Sequence, residues 1–314
     1  LPTANITGTT EVCLNGTSPL ITFTGTGNAA PYTFTYNING GVNQTVTTVS
    51  GNSVTLTVPT GMAGTYTYNL ISIQDGGSTS CSQVQTGAAT VIVNPLPTRN
   101  FTTNTPTCVT RDIQFTDASV PNAGALSNWQ WNFGDPASGA TNTSTLQNPT
   151  HNYALPGTYN VSLTVTTDKG CVSIGPSIPV TIERRPLAGF SFPEICFGDP
   201  FVPFTDTSKV AAPDNISAWN WNFGDPPSGA ANTSTLQNPQ HTYPAVGAYN
   251  IELIAISNKG CRDTIVNSLF INGSNPTADF NVLNPTTLCS SDTIKISEAS
   301  SVSPGTITKV EIYW

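Results

Sequence analysis

A phrase of 23 residues occurs twice in this chain of 314. Residues 131–153 read WNFGDPASGATNTSTLQNPTHNY and residues 221–243 read WNFGDPPSGAANTSTLQNPQHTY, with 19 of the 23 positions identical. Internal repetition constrains a fold strongly, because each copy has to be one structural unit that packs on its neighbours. The phrase lies inside a longer script. A Phe-rich stretch (RNFTTN, AGFSF) leads to a cysteine (Cys108, Cys196), then FTDAS or FTDTS, then W-x-W-N-F-G-D. H-x-Y, G-x-Y and K-G-C (Cys171, Cys261) follow in both copies. Residues 1–94 are a cousin: they share G-x-Y (Gly64, Tyr66) and a following Cys81 but lack W-x-W-N-F-G-D. Residues 274–314 restart the script, and Cys289 to Trp314 spans 25 residues, as does Cys196 to Trp221. The expected domains are therefore 1–94, 95–183, 184–273 and a truncated 274–314, in a window cut from a longer tandem array.

The pattern inside each repeat is that of strands. In YNVSLTV, from Tyr159, the Tyr, Val, Leu and Val fall on one face, as a half-buried strand requires. Strong helix formers are scarce (there is one Met), while 25 Pro and 26 Gly supply frequent turns. The predicted class is all-β, with tandem sandwiches forming a linear rod. At ~3.3 Å per residue each sandwich should be roughly 35–40 Å long and the whole window about 130 Å. Short Pro-rich junctions (NPLPT, ERRPL, GSNPT) make semi-rigid spacers.

Charge narrows the partners. Only 9% of residues are charged, the net charge is −8, and Arg184-Arg185 is the densest positive spot. Nucleic acid, which needs clustered Lys and Arg, is not an expected partner. No apolar run approaches the ~20 residues of a membrane span. Seven cysteines fall into the repeats as Cys13/Cys81, Cys108/Cys171 and Cys196/Cys261, with separations of 68, 63 and 65 residues. Cys289 is left over, its partner expected beyond the chain. One disulfide per domain accounts for the odd count and places the protein outside the cytoplasm. The alternative is a set of reduced, buried thiols. No C-x-x-C spacing suggests zinc.

W-x-W-N-F-G-D followed by N-P-x-H-x-Y and G-x-Y resembles the polycystic-kidney-disease (PKD) domain, an immunoglobulin-like β-sandwich. The inserted P-x-S-G-A-x-N-T-S-T-L-Q-N-P and the cysteines resemble PKD repeats of secreted Bacteroidota proteins. Residues 1–94 are similar to the Ig-like repeats of giant surface adhesins in that phylum, of the SprB gliding-motility type, exported by type IX secretion. The resemblance implies an extracellular, non-enzymatic filament stalk that gives reach and multivalent attachment to surface glycans or a substratum. The alternatives are a spacer or carbohydrate-binding region of a secreted polysaccharidase or protease, and a self-assembling structural fibre.

Within such a fold the repeated phrase has two readings. Asp135, Ser138 and His151 supply the residue types of a hydrolase triad, but no G-x-S-x-G elbow accompanies them. The architectural reading accounts for more residues. Trp131 and Trp221 take the place of the sandwich's central aromatic, and Phe133 and Phe223 share their inward parity. Tyr66, Tyr159 and Tyr249 resemble the tyrosine corner. Gly134-Asp135 and Gly224-Asp225 read as turns with an Asx-type bond, and His151 and His241 as hydrogen-bonded ties on the long loop. No cofactor is expected. The one metal candidate is Ca²⁺ at Asp117, Asp135, Asp206 and Asp225, against capped turns as the plainer alternative.

Overall fold

The structure, a computed structural model, describes residues 1–27, 29–199, 201–274, 277–283, 293–302, 307 and 309–311. Strands dominate, and the chain is built of antiparallel β-sandwiches. It divides into two compact units.

The first unit comprises residues 1–104, 112–153 and 158–181. Its opening sandwich packs a three-stranded sheet (Thr3–Thr7, Leu20–Thr26, Ser53–Thr57) on a five-stranded one. In the larger sheet Thr10–Cys13 runs parallel to Ser82–Asn94, followed in order by Gly64–Gln74, Thr33–Ile38 and Gln44–Thr47. The first ten residues thus switch sheets, as TANIT and TEVC are separated by Gly8, whose φ of 120° only glycine adopts readily. Phe23, Phe34, Ile21, Ile73, Val91 and Val58 form the centre of the core and are fully buried. In the strands Leu20–Thr26 and Thr33–Ile38 the core residues alternate with half-buried Thr, which is the pattern of a sheet with one wetter face.

The same unit holds the first copy of the long script. Asp112–Asp117 pairs with Phe101–Thr103 and with Thr150–Asn152. Opposite it, Leu126–Asn132 pairs with Gly157–Thr167, which also pairs with Val172–Ser173 and Ile178–Ile182. Val161, Leu163, Val165 and Thr167 are buried in strict alternation along Gly157–Thr167.

The second unit comprises residues 105–111, 154–157 and 182–314. Its main sheet runs Cys196–Phe197, Arg262–Ser274, Gly247–Ser257, Ile216–Asn222, Thr233–Ser234. Two short ladders face it, Phe190–Ser191 with Thr205–Asp206 and Val202–Pro203 with Gln240–His241. Trp221, Phe204, Phe223, Ile251 and Leu253 fill the core. From the last repeat, Phe280–Val282 pairs with Ile296–Glu298.

The cysteine pairing differs from the expected one. Cys13 is bonded to Cys171 and Cys108 to Cys261, while Cys81 carries a free thiol. No bond joins Cys13 to Cys81 or Cys108 to Cys171. Cys289 lies outside the described residues, as does the side chain of Cys196. The physical reason is the height of the sandwich. Cys13 lies beside Asn94 at one end of strand Ser82–Asn94, and Cys81 immediately precedes the other end. Those 13 residues span roughly 40 Å at ~3.3 Å each, whereas a disulfide needs Cα atoms within about 7 Å. Cys196 and Cys261 stand in the same relation along Arg262–Ser274, through the pairing of Cys196 with Asn272.

Candidate functional site

The repeated phrase builds the same loop twice. Strand Leu126–Asn132 delivers Trp131 to the core, 2% exposed, and its Nε1–H donates to the Leu146 carbonyl at 2.9 Å. Trp221 does the same with Leu236, also at 2.9 Å. The chain then turns at Gly134 (φ 70°), where a Cβ would stand 2.6 Å from the Asn160 carbonyl oxygen. The Asx-type bond of this turn is made by Asn132 and not by Asp135. Asn132 Oδ1 accepts from Gly134 N at 2.9 Å and from Asn142 Nδ2 at 3.3 Å. A short 3₁₀ segment, Pro136–Asn142, carries the loop back, and Asn142 Oδ1 accepts from Asp135 N at 2.7 Å. Asn222, Gly224, Asp225 and Asn232 repeat this geometry.

The Asp135 carboxylate is thereby released for another task. It is buried and meets His151, also buried, at 3.1 Å; Asp225 meets His241 at 3.0 Å. Phe133 stacks on His151, centroids 4.4 Å apart and planes 9° from parallel, and Tyr153 meets the imidazole edge-on at 4.5 Å. The Tyr153 hydroxyl donates to the Phe133 carbonyl at 2.9 Å. Burial, then the Asp135 carboxylate, then Tyr159, push the Tyr153 phenol well above the ordinary tyrosine range; Tyr243 is raised in the same way beside Asp225. Ser138 spends its hydroxyl on the Asp135 main-chain oxygen at 2.7 Å, as Ser228 does on Asp225 at 2.8 Å. Serine, histidine and aspartate share one loop, but their bonds form a fastening and not a nucleophile–base relay.

Tyr66 and Tyr249 each bond back four residues, to the Met62 and Ala245 carbonyls, both at 3.0 Å. Tyr159 packs on Tyr153 with centroids 4.1 Å apart. The four acidic candidates are occupied by protein donors. Asp117 accepts from Ser119 N at 3.0 Å and Trp129 Nε1 at 2.8 Å. Asp206 accepts from Ser208 N at 2.9 Å and Gln237 Nε2 at 3.3 Å. Among the described residues no group of three or more His, Cys, Asp or Glu converges to hold a metal.

The two disulfides form a second kind of site, which spacing alone did not reveal. Each joins the first cysteine of one repeat to the second cysteine of the next, across 158 and 153 residues. The second cysteine is held by the residue that ends the preceding strand. Thr167 N donates to the Cys171 carbonyl at 3.0 Å, and Cys171 N donates to Thr167 Oγ1 at 3.2 Å. Ser257 holds Cys261 through the same two bonds, at 2.8 and 3.2 Å. Cys108, Cys171 and Cys261 are fully buried. Beside the first bond, Lys169 Nζ lies 3.2 Å from Glu11 Oε2, which also accepts from Asn94 at 3.3 Å. These bonds, Lys169 first, hold the Glu11 carboxyl below its usual range.

The outer face of the first copy is lined by uncharged side chains around a groove, whereas the second copy carries Glu252, half-buried, where the first has Ser162. An open groove of about 620 Å³ is lined by Gln130, Asn132, Thr143, Thr145, Ser162 and Thr164 among others, and a smaller counterpart of about 470 Å³ by Asn220, Thr233, Ser234 and Thr235. No described helix is long and apolar enough to cross a membrane.

Residues 94–182 and 184–271 each match the family model described as PKD domain. A stretch of 121 residues is 34% identical to collagenase ColA of Bacillus cereus, covering 38% of this chain and 12% of that protein. The chain thus spans about an eighth of that relative's length. Among solved structures, the PKD1 domain of the Vibrio cholerae metalloprotease PrtV is 26% identical, covers 28% of this chain and 98% of its own, and has a TM-score of 0.24. A Ca²⁺-stabilised adhesin with which an Antarctic bacterium binds ice is 14% identical, covers 90% of this chain and 77% of its own, and has a TM-score of 0.40.

Proposed function

This chain belongs to the PKD domain family, and from that premise we propose that it is a tension-bearing stalk segment of an extracellular, non-enzymatic surface adhesin. The carrying observation is the pair of disulfides that tie each repeat to the next. A spacer needs only folded domains on a flexible tether. Covalent ties between successive repeats make the junctions resist pulling, which suits a filament that holds a cell to a substratum. Disulfides also suit an oxidising compartment outside the cytoplasm. The hydroxyl- and amide-lined grooves favour neutral hydroxylated surfaces such as glycans, bound weakly at many repeats. The finer reading is a gliding-motility adhesin of the SprB type, exported by type IX secretion in Bacteroidota, in which the stalk transmits force from machinery elsewhere.

The second reading is the accessory region of a secreted protease, favoured by the likeness to collagenase ColA. One experiment separates the two. Antibodies against this segment, applied to intact source cells, should label the surface and reduce attachment. Reactivity confined to a soluble secreted polypeptide with proteolytic activity would replace the adhesin reading with the spacer.

A further inference from the structure

Cys81 is the place in the first repeat that Cys171 and Cys261 hold in the next two. Four observations support the equivalence. Each of the three follows a long strand after a turn, and in each a residue at the end of that strand donates its N–H to the cysteine carbonyl: Thr167 and Ser257, the last residues of theirs, and Asp75, the residue after Gln74, at 3.1 Å. In each the same residue's side chain accepts the cysteine N–H, Asp75 Oδ1 doing so at 3.0 Å. All three of these holding residues are buried. Two differences remain: Asp75 stands six residues before Cys81 where Thr167 and Ser257 stand four before their cysteines, and the sulfurs differ. Cys171 and Cys261 are fully buried against a partner from the preceding repeat, whereas Cys81 is a free, half-exposed thiol. The other half of the joint recurs as well. Cys13 pairs in register with Asn94 and Cys108 with Glu183, parallel to the end of their own repeat's last strand. The backbone of Cys196 pairs with Asn272 in the same way.

We propose that Cys81 is a coupling site: it forms a disulfide with the first cysteine of another repeat of this kind, in the same n-to-n+1 sense as Cys13–Cys171 and Cys108–Cys261. The partner of Cys81 is thus a cysteine outside residues 1–314 that ends a short strand parallel to its own repeat's final strand. The bond forms from two thiols. Two protons and two electrons leave, and a protein or small-molecule disulfide takes them up and becomes two thiols. The inference extends the stalk reading, since it makes the ties continuous along the array. It is independent of what the stalk adheres to.

The test is a peptide map of the native source polypeptide, alkylated without reduction and digested under non-reducing conditions. Cys81 is expected in a peptide joined to a cysteine outside residues 1–314, with its alkylated free form below about a tenth of the total. Recovery of Cys81 mainly as the alkylated thiol overturns the proposal, and so does a bond from Cys81 to any cysteine within residues 1–314. Surface labelling of intact cells reports separately on the stalk reading, so the two can fail independently.

Discussion

At the residue scale, the repeated phrase is a fastening whose parts were only partly legible. Trp131, Phe133, Trp221 and Phe223 could be read from parity, because a strand sends alternate side chains to one face. The partners of Asp135 could not. An aspartate after glycine reads locally as a turn former, yet Asn132 takes the turn and frees the carboxylate for a histidine 16 residues away. Removing one side of this buried pair leaves the other unsatisfied. His151→Ala should therefore lower unfolding stability by roughly 2–3 kcal/mol, with a similar loss for His241→Ala, measured by urea denaturation. The double substitution His151→Ala with Asp135→Ala should cost clearly less than the sum of the two singles. Equal costs would show the pair to be uncoupled. Tyr153 and Tyr243 hold their protons more tightly in the folded protein than in the unfolded chain. Their contribution is fully present below the ordinary tyrosine pKa of about 10 and is lost as pH rises above it. Stability should thus fall with rising pH above about 10, and Tyr153→Phe with Tyr243→Phe should flatten that fall. Calcium makes a further check. The carboxylates of Asp117, Asp135, Asp206 and Asp225 already accept bonds from N–H donors or pair with histidine. Added millimolar Ca²⁺ should leave the melting temperature within about 1 °C, because only preferential binding to the folded state shifts it. A rise of several degrees would support the metal reading.

At the scale of elements, the strands were legible because Thr, Ser and Asn alternate with Val, Ile, Leu and aromatics under a period of two. The short 3₁₀ segments Pro136–Asn142 and Pro226–Asn232 were not, since their Pro, Gly and Asn read equally well as plain loop. The disulfide pairing was missed for a geometric reason. Cysteines about 65 residues apart within one repeat look like partners on a sequence line, but in the first and third repeats a final strand of 13 residues separates them in space. Knowing that the first cysteine lies parallel to the end of that strand would have excluded the pairing. That register is a long-range fact, set by Thr10–Cys13 crossing to the second sheet. Each tie closes a loop of more than 150 residues, worth roughly 5 kcal/mol in the chain-entropy model. Cys171→Ser should cost a few kcal/mol of this and expose Cys13 to alkylation while leaving Cys81 as reactive as before. A Cys81 that lost its reactivity in this variant would point to exchange with Cys13.

At the scale of the whole molecule, the ties limit how far the chain can be drawn out. With both disulfides closed, the shortest covalent path skips residues 14–107 and 172–260, roughly 180 residues. At 3.3–3.6 Å per residue, reduction should lengthen the fully unfolded chain by roughly 600 Å in single-molecule stretching. An unchanged contour length would mean that the ties are not formed. The stalk reading rests on those ties, because sandwiches joined only by Pro-rich linkers would serve equally well as spacers.

The most direct test of the account is therefore the connectivity itself. The purified 314-residue chain, digested without reduction and read by mass spectrometry, should yield Cys13 joined to Cys171 and Cys108 joined to Cys261. Peptides joining Cys13 to Cys81 and Cys108 to Cys171 would contradict it, and each repeat would then stand alone.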